Sequence, residues 1–287
     1  HKVTMQGDRD KKTTKKNINF SNIGKSVVIG GTMLVPGVSG GSMAMILGVY
    51  DQLISSVSSF MKHKRESAIF LLTFAAGGLA GMFLFSKPIL YLIERFPMPM
   101  LYFFMGAVAG GIPLIFKKAD IKKFSVRGLI YIILGIVMVV AVSYIPMGGE
   151  SSSMGAGMQS FVMLAAAGFI AAVALVLPGI SVSYLLLVLG LYDETMRAIS
   201  QLYMPFLIPL GIGLILGIIL TTKILEMAMT NYPQPTYLII LGFVLGSVRE
   251  IYPGVPTGIQ IPICIVSICA GFAAIIFISR RELKSED

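Results

Sequence analysis

Ten apolar segments, separated by short polar flanks, run through this chain at residues 23–35, 39–60, 67–93, 99–116, 128–145, 160–177, 183–200, 206–229, 236–252 and 259–279. About 20 helical residues cross a bilayer core, and most of these runs approach or exceed that length. They are continuously apolar, whereas a membrane β-barrel needs alternating strands. With 55% hydrophobic and only 13% charged residues, the chain reads as an all-α integral membrane protein.

The net charge of +9 does not point to nucleic acid, because the basic residues sit in the flanks between apolar runs. Residues 1–21 form a basic tail with Lys2, Arg9, Lys11, Lys12, Lys15 and Lys16, suited to anionic membrane lipids. The first apolar run starts near Ile23 and lacks a small-residue cleavage site, so no cleaved signal is expected. Cys264 and Cys269 are five apart in the last run and face different directions on a helix, which leaves no metal or redox motif. No metal site and no cofactor are expected.

Two stretches interrupt the apolar pattern in the same way. "VPGVSGGSMAMILGVYD" occupies 35–51 and "LPGISVSYLLLVLGLYD" occupies 177–193. A shift of 142 pairs 36–51 with 178–193 and gives seven identities: Pro, Gly, Ser, Leu, Gly, Tyr and Asp. A shift of 136 then matches Gly77, Gly81, Leu84, Lys87, Pro97, Pro99, Gly106, Val108 and Gly110 with identical residues up to Gly246. The shared order of motifs marks a duplication.

The run 23–35 is too short to span and leads into an uncharged Pro-Gly tip, after which the chain returns to "KHKR" at 62–65. This predicts a re-entrant helical hairpin over 23–60, with a second over 160–200. Repeat 1 (22–127) then adds spans 67–93 and 99–116; span 128–145 links it to repeat 2 (159–253), which adds spans 206–229 and 236–252; span 259–279 closes the chain. Each repeat begins and ends on one side, so the single linking span inverts the second copy. In this arrangement 19 of the 23 lysines and arginines lie on one side, leaving Lys87, Arg95, Arg197 and Arg249 opposite. The positive-inside rule then puts both termini in the cytoplasm.

Pro36-Gly37 ends the first arm, and a helix starting near Ser39 leaves its first N–H groups without intrahelical partners. In hydrocarbon such groups need acceptors. An anionic oxygen would serve, approaching the backbone at Gly40 and Gly41, with the hydroxyls of Ser39 and Ser42 as further donors. The second tip offers Gly179, Ser181 and Ser183, with Val182 in place of Gly40. The alternative for these serines is helix capping. For Gly77/Gly81 and Gly213/Gly217, close helix packing is the favoured reading. Tyr50-Asp51 and Tyr192-Asp193 follow each tip by about 12 residues, or about 18 Å of helix, returning close to opposite membrane surfaces. Asp51 and Asp193 are therefore anchors or gates. Arg249 and Glu250 lie late in an apolar span, where ionisable residues are candidates for function: Arg249 for gripping phosphate or pairing with an acid, Glu250 for gating or coupling.

The doubled "PGVSGG…LGVYD" and "LPGISVS…LGLYD" motifs resemble those of the bacterial polyprenyl-phosphate transporter family, over about 22–280. That resemblance implies a flippase of the bacterial cytoplasmic membrane. It would return undecaprenyl phosphate from the outer to the inner leaflet during lipid-carrier recycling for cell-wall synthesis. The implied motif positions are Pro36, Gly37, Ser39, Gly40 and Gly41, then Pro178, Gly179 and Ser181. Two alternatives stand beside it: a small-anion transporter or channel, and a polyprenyl-diphosphate phosphatase. The phosphatases carry an arginine in the tip where this chain has glycine. The only histidines here, His1 and His63, lie outside the spans. Catalysis by proton transfer needs a positioned titratable partner, so the chain is not expected to be an enzyme.

Overall fold

The computed structural model describes residues 20–35, 38–121, 123, 125–144 and 158–285. Among them every regular element is a helix, in the order α1 (Phe20–Thr32), α2 (Gly40–Ile46), α3 (Tyr50–Ser58), α4 (Lys64–Arg95), α5 (Pro97–Lys118), α6 (Val126–Ser143), α7 (Met158–Val176), α8 (Val182–Val188), α9 (Tyr192–Gln201), α10 (Met204–Asn231), α11 (Pro233–Ile251) and α12 (Gln260–Ser285).

The helix boundaries follow local chemistry. Ser39 caps α2 and Ser125 caps α6, each hydroxyl oxygen accepting from the N–H three residues on. The paired prolines at 97/99 and 233/235 fall in the first turns of α5 and α11, where a missing N–H costs nothing. Five helices, α4, α5, α6, α10 and α12, are long and apolar enough to cross a membrane. Helix α11 falls outside that group, because Pro-Gln-Pro at its start and Arg249-Glu250 at its end dilute an otherwise apolar run.

One order of elements occurs twice. Helix, short helix, helix, long helix, helix is the pattern of α1–α5 and again of α7–α11. The packing partners also correspond. Helix α4 lies on α1 as α10 lies on α7, while α5 lies on α12 as α11 lies on α6. Small residues make these contacts possible. A Cβ added at Gly77 would meet the Ser26 hydroxyl at 2.0 Å, and one at Gly213 would meet the Ala165 carbonyl at 1.8 Å. Without such close approach, van der Waals packing between apolar helices in lipid would be weak. Away from these seams the long helices present bulky apolar side chains outward, such as Leu79 and Phe83 on α4 and Ile215 and Leu216 on α10.

The structure corrects one expectation. The second arm of each tip is not a continuous helix. Segment 39–60 is broken into α2 and α3 at Gly48 (φ 78°), and 183–200 into α8 and α9 at Gly190 (φ 71°). A left-handed turn of this kind suits glycine, which has no Cβ to clash. With only seven helical residues before the break, Tyr50 and Asp51 do not reach the far end of an 18 Å rod. Tyr50 is buried in the main core with Met45, Ile46 and Leu47.

The correspondence between the halves is incomplete. Helix α3 packs on α10, whereas α9 makes no comparable contact with α4 among the described residues.

Candidate functional site

The two tips meet. A Cβ added at Gly41 would sit 3.2 Å from the Cα of Pro178, so the start of α2 abuts the end of α7. The Tyr50 hydroxyl fastens this junction by donating to the carbonyl of Val176 at 2.7 Å in a buried setting. Gly179 is required on two grounds. Its φ is +87°, and a Cβ there would lie 2.5 Å from the Phe243 carbonyl of α11.

Beside this junction lies a cavity of about 680 Å³. The first tip contributes Val38, Ser39, Gly40 and Gly41, and the second contributes Gly179, Ile180, Ser181 and Val182. Helix α3 supplies Tyr50, Leu53, Ile54 and Val57, which at spacings of three and four form one helical face. Phe74 of α4, Ile218 and Thr222 of α10, and Glu250 of α11 extend the wall. The lining is largely apolar with a few polar groups near the tips, the usual make-up of a small-molecule site. Glu250 is its one charged side chain among the described residues.

The cavity gathers Ser39, Gly40, Gly41, Gly179, Ser181 and Glu250 from the sequence-derived candidates. Ser39 also caps α2, its oxygen 3.5 Å from the Ser42 N–H, so capping and wall position coincide. Ser42 is off the wall; it is 5% exposed and its hydroxyl has no hydrogen-bond partner. Arg249 also lies off the wall, its guanidinium carbon 4.6 Å from the centre of the Tyr144 ring, a cation–π distance. Asp193 is exposed on α9. The Ser183 side chain, and Pro36 and Gly37, lie outside the described residues.

Asp51, next to Tyr50 on α3, is off the cavity wall. Its Oδ2 accepts from Lys118 Nζ of α5 at 3.0 Å and from the Tyr237 hydroxyl of α11 at 2.7 Å. Its other oxygen, Oδ1, is buried without a partner. Further along α3, Ser58 donates to the carboxylate of Glu226 on α10. At the other end of the cluster, Asn22 of α1 donates to Gln52 at 3.0 Å. Helix α3 is thus tied to α1, α5, α10 and α11. The sequence reading missed Lys118, Tyr237 and Glu226. The one available signal was the single glycine before each Tyr-Asp, Gly48 and Gly190, which turns the chain early and in the first copy brings the acid against α5 and α11.

Among the described residues, no group of three His, Cys, Asp or Glu is placed to hold a metal ion.

Fold and site together define a multi-pass helical membrane protein with a cavity at the junction of two duplicated tips. The chain belongs to the family described as undecaprenyl phosphate translocase-like, whose model matches residues 29–261 and therefore takes in both tips. It is 32% identical over 284 residues to the polyprenyl-phosphate transporter of Staphylococcus aureus (strain NCTC 8325 / PS 47), covering 94% of this chain and all of that one. It is 27% identical over 254 residues to the polyprenyl-phosphate transporter of Vibrio cholerae serotype O1 (strain ATCC 39315 / El Tor Inaba N16961), covering 83% of this chain and 79% of the relative. No solved structure matches the chain.

Proposed function

We propose that this protein is a transporter of polyprenyl phosphate, moving undecaprenyl phosphate from the outer to the inner leaflet of the bacterial cytoplasmic membrane so that the carrier can be used again. The single observation that carries this reading is the cavity at the meeting point of the two tips, in a chain of this family. Exposing a phosphate to hydrocarbon without polar partners has a prohibitive cost. A polar site within the protein removes that barrier for the headgroup, while the prenyl tail stays in lipid.

In this reading the two halves are inverted repeats, and each tip is a re-entrant hairpin that enters from its own side. Broken helices meeting inside an inverted pair are a recurrent design for binding a charged substrate at mid-depth. The headgroup lies between the tips. First-turn N–H groups at Gly40 and Gly41 and the hydroxyls of Ser39 and Ser181 face its oxygens, and Gly179 leaves room at the second tip. Movement of one half against the other exposes this site to each leaflet in turn. The packing of α3 on α10, with no comparable packing of α9 on α4 among the described residues, supports a state open on the α9 side. No bond to phosphorus changes in this cycle, so the protein acts as a carrier and not as an enzyme.

The test is movement of undecaprenyl phosphate between leaflets of liposomes containing the purified protein, with phosphate ester content followed in parallel. Movement above protein-free vesicles, with the ester intact and weakened by the Ser39→Ala/Ser181→Ala pair, is the expected result. Inorganic phosphate flux without lipid movement would replace the lipid by a small anion. Phosphate release from the diphosphate would make the protein a hydrolase.

A further inference from the structure

Off the cavity wall and beside α3, two lysines are largely withdrawn from water. Lys25 of α1 is 5% exposed, and the side chain of Lys118 is 12% exposed where it meets Asp51, whose own side chain is 37% exposed. Buried cations are tolerated only where anionic or polar oxygens compensate their lost hydration. The compensation for Lys118 is one-sided. Asp51 Oδ2 receives both the Lys118 and Tyr237 donors, while Oδ1 is buried with none. A carboxylate used through one oxygen leaves desolvation of the other uncompensated.

We propose that Lys118, with Lys25 beside it, forms a second phosphate-monoester station, and that Asp51 is the resident anion which the incoming phosphate displaces. This rests on the transporter reading above. Helix α3 is the partition between the two places: Tyr50, Leu53, Ile54 and Val57 face the cavity, and Asp51 meets Lys118. Its start follows directly on the Gly48 turn, which gives the helix a place to pivot. Swinging α3 outward withdraws Asp51 from Lys118 and joins the cavity to the station in one movement. A phosphate offers three oxygens and more negative charge, so it can receive Lys118, Tyr237 and Lys25 together. The phosphate therefore unlatches the partition that separates it from the station. Asp193, the counterpart of Asp51, is exposed on α9 and among the described residues makes no ion pair like that of Asp51 with Lys118. The station exists on one side only, which gives the cycle a direction, from the tips toward the α3 end.

The experiment is calorimetric titration of the purified, detergent-solubilised protein with farnesyl phosphate and, separately, with inorganic phosphate. Asp51→Asn keeps the side-chain shape and removes the competing charge. It should tighten farnesyl phosphate binding by roughly tenfold, equivalent to about 1.4 kcal/mol. Adding Lys118→Gln should abolish the gain, and adding Lys118→Arg should keep it. A gain with both probes supports a station that reads phosphate alone. A gain with farnesyl phosphate only supports delivery by the lipid through the cavity. Unchanged or weaker binding in a folded Asp51→Asn protein, whose wild type binds farnesyl phosphate, overturns the station and leaves the tip site standing. Failure of the wild type to bind farnesyl phosphate at all would overturn the transporter reading and the station with it.

Discussion

Gly41→Val should abolish lipid movement in a protein that still folds. Gly41 lies on the cavity wall, and even a bare Cβ at this position would be 3.2 Å from the Pro178 backbone. That is a tight contact that a backbone neighbour must yield to by a few tenths of an ångström. Valine adds two further carbons between the tips, into the space assigned to the headgroup. It also screens the α2 backbone N–H groups from any oxygen approaching them. A misplacement of about 1 Å at a positioning site costs on the order of a hundredfold in rate, so a loss of that size is expected in the liposome assay. Gly40→Ala serves as the comparison. A Cβ there meets the flexible end of Met33, with the sulfur at 2.9 Å, and that side chain can rotate aside. Its transport should fall much less. Equal activity of Gly41→Val and wild type would remove the headgroup from the tip junction.

Gly213→Leu should have its effect on folding. The added Cβ would fall 1.8 Å from the Ala165 carbonyl, which is backbone and cannot rotate away, so α7 and α10 must separate. That seam is held by close packing, and its opening forfeits contacts along both helices. Overpacking of this kind costs about 3 kcal/mol, which thermal unfolding in detergent would register as a lower midpoint and a lower yield of folded protein. Gly211→Leu, two residues away, is the control: nothing lies within 4 Å of a Cβ at that position. It should unfold like the wild type. Matching losses in the two variants would mean that leucine itself, not the α7–α10 seam, is responsible.

These two glycines also show how far the sequence could be read. Gly213 belonged to a duplicated G-x-x-x-G spacing, and packing was the favoured reading; the close approach to Ala165 agrees with it. The segment limits of the long helices were legible because twenty-residue apolar runs have few alternatives in lipid. At the second tip the helix limit was legible, since α7 ends at Val176 just before Pro178-Gly179. The break at Gly48 was not, since a lone glycine inside an apolar helix is common and its left-handed φ depends on how α2 docks on α5. A continuous helix would carry Tyr50 and Asp51 outward, away from Val176, Lys118 and Tyr237. The Asp51–Lys118–Tyr237 cluster joins residues up to 186 positions apart, and no local pattern announces such a meeting. Arg249 was nominated from its place in an apolar run, yet helix phase and packing set it against Tyr144 instead.

A crystal structure of the protein with farnesyl phosphate bound would show whether a phosphate headgroup sits between the two tips. Phosphate oxygens are expected within about 3 Å of the Gly40 and Gly41 backbone N–H groups, with the Ser39 and Ser181 hydroxyls turned toward them. A phosphate found on the lipid-facing surface, with the junction of Gly41 and Pro178 empty, would contradict that placement.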